Sequence, residues 1–246
     1  MLIDAHAHIT HIENGWLDRA RASGVKHVIL GGTHPEDWIQ QIELKKKFGA
    51  ALHLNFGLHP WWVEKLSDTE IDKALVQLQA LLPVAEGLGE IGLDFFTDKR
   101  DSTQFPKQEA VFRSQIEIAK VTKKPMVLHV VRAHQKVTQI LKESNLTLPF
   151  MIHRYSGNVT ELKPYLELGA FISFNADFAS VHGHEKSKKA LRATPQDRLL
   201  FETDTGEPAD VAPLYVKASE LLGISSELLQ EKVAENIRKI GYTLSS

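Results

Sequence analysis

From one end to the other, the sequence alternates between short apolar runs and longer stretches whose apolar residues recur at helical spacing. The short runs are rich in Val, Ile, Leu and Phe and read as strands buried on both faces. They are Met1–Ile9, Val25–Leu30, Ala50–Gly57, Val84–Leu93, Pro125–Val131, Phe150–Ile152, Ala170–Phe174 and Arg198–Phe201. Between them the pattern predicts helices over Asn14–Ser23, Pro35–Phe48, Asp68–Leu82, Phe105–Thr122, Gln135–Glu143, Val159–Leu168 (interrupted late by Pro164) and Lys186–Arg192, with Ala212–Leu222 and Ser226–Ile240 closing the chain. Gly24 and Gly49 stop the first two helices, as glycine commonly does. In Phe105–Thr122, Val111, Phe112, Ile116 and Ala119 form the buried stripe. Strand–helix alternation implies a parallel sheet. Eight such units in 246 residues fit an α/β fold of the (β/α)8 TIM-barrel type, one domain spanning residues 1–246. An open doubly wound sheet is the structural alternative. The first strand–helix turn, however, lacks the Gly-x-Gly-x-x-Gly cradle of dinucleotide binders, and no phosphate-binding Gly-x-x-x-x-Gly-Lys-Ser/Thr loop occurs. There is no linker, repeat or low-complexity tract.

Composition narrows the chemistry. The chain has no cysteine, which excludes thiolate nucleophiles, disulfides and Cys-ligated zinc. Its formal net charge of −2 gives no general attraction to polyanions, so any nucleic-acid binding must come from a local site. An apolar fraction of 43% is ordinary for a protein with a sizeable core. No basic leader precedes an apolar run, and no apolar stretch approaches the ~20 residues of a membrane span. The expectation is a soluble cytoplasmic protein with no membrane association and no obligate protein partner.

The informative feature is where the metal-capable side chains fall. In Asp4-Ala-His6-Ala-His8 the two histidines are two apart on a strand, which puts them on one face about 6.6 Å apart along the chain. That spacing alone also suits an ordinary buried pair. His59 follows the third strand, Glu90 ends the fourth, His129 lies late in the fifth, His153 ends the sixth and Asp204 ends the eighth. In a barrel the carboxyl ends of the strands meet on one face, where active sites are built. Each residue has a bland reading: His129 as a core histidine, Asp204 as a turn cap. Glu90, between apolar residues and glycines, is harder to dismiss, because an unpaired buried carboxylate costs several kcal/mol. Histidines and carboxylates together suit a pair of divalent ions such as Zn, Mn, Ni or Co, or Mg where carboxylates and water dominate. Two ions bridged about 3.5–4 Å apart can activate a water and hold phosphoryl or carbonyl oxygens. His182-Gly-His184 repeats the His-x-His spacing in a polar loop and reads as non-functional. His11, His27, His34, His53 and His134 read as surface or packing residues. Lys45–Lys47 and Lys186–Lys189 read as solvated helix faces, and Ser156 lacks a His–Asp relay.

On these residues the chain resembles the TatD-like metal-dependent hydrolases of the amidohydrolase superfamily. The matching segments are Asp4-Ala-His6-Ala-His8, Gly57-Leu-His59-Pro60, Glu90-Ile-Gly-Leu-Asp94-Phe95, His129, His153-x-Tyr155-Ser156-Gly157, Glu202-Thr-Asp204 and Asn236-Ile-Arg238. They occur in the family's order and span nearly the whole chain. The resemblance implies a TIM barrel with two divalent ions, one held by His6, His8, Glu90 and Asp204 and the other by Glu90, His129 and His153. It further implies Asp204 as general base, with Glu90 the other catalytic carboxylate, and deoxyribonuclease-type hydrolysis of DNA or another phosphoester.

Three positions depart from the family pattern, all where substrate is held. Val131 stands where an arginine is usual, Arg154 where a cysteine is usual, and Thr205-Gly206-Glu207-Pro208 replaces a small residue, proline and an aromatic. His59 and Arg154 are the candidate substrate contacts, with Arg154 expected to supply the phosphate contact that Val131 cannot. The runner-up function is two-metal hydrolysis of a small-molecule amide, lactone or ester, which the near-neutral charge favours. Against it, the fifth strand lacks a lysine suited to carbamylation. A non-catalytic metal-binding protein is the third class, and the presence of Asp204 beside every other expected ligand argues against it.

Overall fold

Every apolar run in the sequence becomes a strand. The computed structural model describes residues 1–9, 15–179 and 185–245. In chain order the elements are β1 (Leu2–Ala7), α1 (Trp16–Ala22), β2 (Val25–Gly31), α2 (Pro35–Phe48), β3 (Leu52–Phe56), α3 (Pro60–Lys65), α4 (Asp68–Leu81), β4 (Gly87–Asp94), α5 (Phe105–Thr122), β5 (Met126–Val131), α6 (His134–Glu143), β6 (Phe150–Ile152), α7 (Val159–Glu167), β7 (Phe171–Phe174), α8 (Glu185–Ala193), β8 (Leu199–Phe201), α9 (Val211–Leu222) and α10 (Ser226–Ile240). The strands lie in sequence order, each parallel to the next, from β1 to β8. They are buried almost throughout, because helices cover the outer face and side chains fill the inside.

The ring closes just beyond β8. Asp204 bridges to Ala7, with His8 N–H donating to its carbonyl at 2.8 Å and its own N–H donating to the His6 carbonyl at 2.9 Å. The first and last strands are thus tied by backbone at the residues that carry candidate ligands. Below this bridge Asp4 adds a side-chain tie. Its carboxylate accepts from Thr203 N–H at 3.0 Å and from the Thr203 hydroxyl at 2.5 Å. Asp4 is fully buried, and burial pushes its carboxyl well above the ordinary value despite those two bonds. In the TIM barrel it therefore acts as the clasp of the N-terminal motif. The C-terminal part of the chain ties to the barrel at two places, as Tyr215 of α9 donates to the Ile3 carbonyl at 2.9 Å and Tyr242, just past α10, donates to the side-chain oxygen of Asn55 on β3 at 2.6 Å.

Element bounds shift by a residue or more in several places, and three differences from the sequence reading bear on the site and its strands. β4 begins at Gly87, because Leu82–Val84, containing Pro83, forms a 3-10 turn. Helix α3 stands in a stretch to which the sequence pattern assigned no element, with Pro60 in its first turn where a missing N–H costs nothing. β1 ends at Ala7, so His8 lies one residue past it. His11 and the His182-Gly-His184 motif lie outside the described residues. Among the described residues no helix is long and apolar enough to cross a membrane.

At the opposite end of the barrel from Asp204, Glu86 accepts from Leu54 N–H at 2.8 Å and from Lys45 at 2.9 Å, with the buried His53 ring 3.8 Å away. Burial alone would raise this carboxyl, but these partners hold it down to about 2. The folded value lies below the ordinary 4.5, so the stability that Glu86 contributes is complete above about pH 4.5 and is lost as pH falls toward 2. Glu86→Gln should flatten this part of the acid-stability curve, as read by denaturant melts at stepped pH. Asp4→Ala strands both Thr203 donors and should cost about 1–3 kcal/mol, whereas Asp4→Asn keeps one acceptor and should cost less. For a chain of this size that is a fall in Tm of about 2–12 °C by calorimetry. An unchanged Tm in the alanine variant would refute the clasp.

Candidate metal centre

The site grows from the strand ends. His6 and His8 leave β1 with their Nε2 atoms 3.2 Å apart, far closer than their separation along the chain. The neighbouring strand makes room for them. A Cβ at Gly31 would lie 2.2 Å from the His6 ring and 3.0 Å from the His8 ring, so β2 must carry no side chain there. On β4, Gly92 sits between Glu90 and Asp94. Its φ of +143° is one that glycine adopts freely, and a Cβ there would strike the His129 carbonyl at 2.0 Å. Glu90 and Asp94 therefore flank His129 on the adjoining strand.

Glu90 is the centre of the arrangement and is only 2% exposed. Its Oε2 lies 3.0 Å from His8 Nε2 and 3.3 Å from His6 Nε2. Its Oε1 lies 2.7 Å from His153 Nε2, 2.9 Å from His129 Nδ1 and 3.2 Å from His59 Nε2. One carboxylate thus turns one oxygen to each of two imidazole groups. Burial alone would raise the Glu90 carboxyl, but the charge of His153 and the bonds from His129 and His153 drive it well below the ordinary value. Conversely, burial would lower His153, but the Glu90 charge outweighs it and raises that histidine well above its ordinary value.

Asp204 completes the ring of ligand-type residues, with Oδ1 3.7 Å from His8 Nε2 and Oδ2 accepting from Arg154 at 2.8 Å. Burial alone would raise its carboxyl, but His153 and His6 outweigh that and lower it. Arg132, Arg154 and Asp204 leave β5, β6 and β8 with φ of 52°, 41° and 60°. Left-handed non-glycine residues are costly, and they cluster where a scaffold over-determines a functional loop.

The donor set fits divalent cations. Imidazole nitrogens face one another at 3.2 Å (His6, His8) and 3.1 Å (His129, His153) around a single carboxylate, so they cannot all satisfy one another by donating. The His6 Nδ1 atom is buried without a partner. Three groupings bring their ligand atoms within 4.8 Å: His6, Glu90 and His153; His6, His8 and Asp204; and His59, Glu90 and His129.

The ring of supporting residues was not legible as such in the sequence. Glu202, fully buried, sits with Oε1 3.3 Å from His153 Nδ1, which leaves His153 Nε2 facing Glu90. Asp94 does the same for His129, 3.4 Å from its Nε2, and also accepts from Trp61 Nε1 at 2.5 Å. Burial would raise the Asp94 carboxyl, but the bonds from His129 and Trp61 hold it down to about 2. Same-face spacing could have found both, since Asp94 is four residues from Glu90 on one strand and Glu202 two from Asp204. His59 differs from the other rings. Trp61 N–H donates to its Nδ1 at 3.1 Å, so its hydrogen sits on Nε2 and points at Glu90. Burial lowers His59 to about 4, which keeps it a neutral donor. Above the cluster opens a cavity of about 700 Å³, whose lining includes Trp61, Phe96, Arg100, Arg154, Asp177 and Thr205.

Residues 3–241 match the family model described as TatD related DNase. An uncharacterized metal-dependent hydrolase, YjjV of Escherichia coli, is 29% identical over 207 residues, covering 82% of this chain and 78% of that protein. The crystal structure of YjjV, a TatD homolog from the same organism, superposes with a TM-score of 0.87 at 26% identity, covering 97% of each chain. The 3'-5' ssDNA/RNA exonuclease TatD of a Rahnella strain is 28% identical over 94% of this chain and 92% of its own.

Partners that orient a metal-binding ring commonly change metal affinity by 10–100-fold. Glu202→Gln and Asp94→Asn should therefore each weaken divalent-ion binding by about 10–100-fold in calorimetric titration. Wild-type affinity in both variants would refute the orienting role.

Proposed function

The chain belongs to the TatD-related DNase family, and from that premise we propose that this metal-dependent hydrolase is a nuclease that cuts phosphodiester bonds with the help of two divalent ions. The observation that carries the reading is Glu90, whose two oxygens face two separate imidazole groups. His6, His8, Glu90 and Asp204 would hold one ion, and Glu90, His129 and His153 the other. Zn, Mn, Ni, Co and Mg all fit such donors. Ions bound there supply Lewis acidity toward phosphate oxygens and lower the pKa of a water.

The chain's own residues do the rest. Asp204, lowered below its ordinary value, is ionised at neutral pH and can take the proton of the attacking water. Arg154 fixes that carboxylate through Oδ2. About half exposed at the cavity, its guanidinium keeps further donors for a phosphate oxygen. His59 offers a neutral N–H from within the cluster. As the water oxygen bonds to phosphorus, the bond to the leaving oxygen breaks and Asp204 carries the water's proton away. The relative named a 3'-5' ssDNA/RNA exonuclease supports single-stranded nucleic acid as the substrate. The formal charge of −2 favours the second reading, hydrolysis of a small ester, amide or lactone.

Purified protein should cleave single-stranded DNA or RNA only with a divalent ion present, and EDTA should abolish cleavage. Asp204→Asn should lower kcat by about 100-fold or more, the range of general-base catalysis. His6→Ala with His8→Ala should lose one bound ion by elemental analysis and all turnover. DNA cleavage that persists in Asp204→Asn would remove the assigned base. Turnover of small esters alone, with no cut in either nucleic acid, would replace the nuclease reading by the second one.

A further inference from the structure

One wall of the cavity carries residues that the hydrolytic centre leaves unused. Trp61 opens α3 directly after Pro60 and remains 43% exposed although its indole nitrogen is tied to Asp94. Its ring stands edge-on to His59 at 4.9 Å and to His129 at 6.0 Å between centroids. An exposed indole is thus held rigidly within one ring's breadth of the Glu90 cluster. The Arg100 guanidinium lies 4.3 Å from the Trp61 ring centre.

Arg100 is only loosely ion-paired. Its nearest carboxylates are Asp94 and Glu64, both at 3.6 Å, beyond the 2.7–2.9 Å of charge-assisted bonds. Its Nε is buried without a hydrogen-bond partner. A guanidinium has five donors in a planar fork suited to phosphate, and among the described residues this one uses none of them in a hydrogen bond. Trp62 next door is committed differently, stacked on His34 at 4.0 Å. A partly exposed indole and a cation with unused hydrogen-bond donors therefore coincide at Trp61 and Arg100.

We infer that Trp61 and Arg100 form a nucleotide subsite beside the hydrolytic centre, Trp61 stacking the base next to the scissile phosphate and Arg100 binding that nucleotide's own phosphate. The inference rests on the nuclease reading above. Stacking on an aromatic ring tolerates any base, because every base has a π-face, but it requires a base free of its duplex neighbours. A fixed indole gives up little rotational freedom on binding, and a partly desolvated guanidinium adds charge where the net charge of the chain supplies none. The subsite thus selects single strands or frayed ends through a local feature of α3 and the segment after β4.

The test compares a single-stranded octathymidylate with phosphorothioate links, as binding probe, with hydrolysis of octathymidylate and of bis(para-nitrophenyl) phosphate, a diester with no neighbouring nucleotide. Trp61→Ala should weaken probe binding by about 5- to 150-fold in fluorescence anisotropy, and Trp61→Phe should restore most of it. Arg100→Gln should reduce the slope of log affinity against log salt by about 0.7, the loss of one single-strand phosphate contact. In Trp61→Ala and Arg100→Gln the ratio of kcat/KM for octathymidylate to that for the small diester should fall. Wild-type affinity and salt slope in these variants would overturn the subsite while leaving the nuclease intact. An equal loss on both substrates would also overturn it, since that marks damage to the centre through Asp94. A wild-type protein that hydrolyses the small diester but neither binds nor cuts the oligonucleotide would overturn the nuclease reading and the subsite together.

Discussion

A carboxylate buried among five imidazoles is the constraint on which this structure turns. Left alone, the Glu90 charge would cost several kcal/mol in such a place. It is tolerated because nitrogens of His6, His8, His59, His129 and His153 lie within 3.3 Å of its two oxygens. Those five rings come from β1, its end, the residue before α3, β5 and the end of β6. No local segment could gather them. The barrel must close, and it closes through Asp204, which pairs by backbone with His6 and His8 while its side chain faces the same cluster. Fold and site share one joint.

That joint explains why rigidity is concentrated where it is. Asp4 clasps Thr203 directly beneath the bridge, and Gly31 and Gly92 allow neighbouring strands to approach the histidines without a Cβ in the way. The cost appears as left-handed backbone at Asp204 and Arg154, conformations that packing must hold in place. Converging like ligands and strained strand ends oppose stability, and the long apolar strands that surround them supply the compensating burial.

Much of this was legible from the chain because the signals were repeated. Eight buried strands separated by helices left little choice but a parallel barrel, and a barrel brings strand ends together whatever their separation in sequence. That is why His6 and Asp204 read as neighbours across nearly 200 positions. What escaped reading depended on contacts rather than periodicity. Helix α3 is a single short run with two tryptophans after a proline, too brief for a helical stripe to show. Asp94 and Glu202 looked like parts of a motif, and only the positions of His129 and His153 reveal which nitrogen each carboxylate holds. His59 read as a substrate contact on its place after β3. The hydrogen bond from Trp61 N–H adds the reason its Nε2 is a donor.

Charge shows the same division between global and local information. A formal charge of −2 argues against a polyanion substrate only if charge is spread evenly. Here the carboxylates of the centre are matched by histidines, while Arg154 and Arg100 both line the cavity. Arg154 is bound to Asp204 and so stands beside the proposed proton acceptor, whereas Arg100 is loosely ion-paired with Asp94 and Glu64 and lies over the face of Trp61. Two cations lining one cavity beside a buried acid cluster form a local field that the net charge averages away. Such a field favours the nuclease reading over hydrolysis of an isolated neutral ester, because a polyanion gains from cations placed near the scissile phosphate.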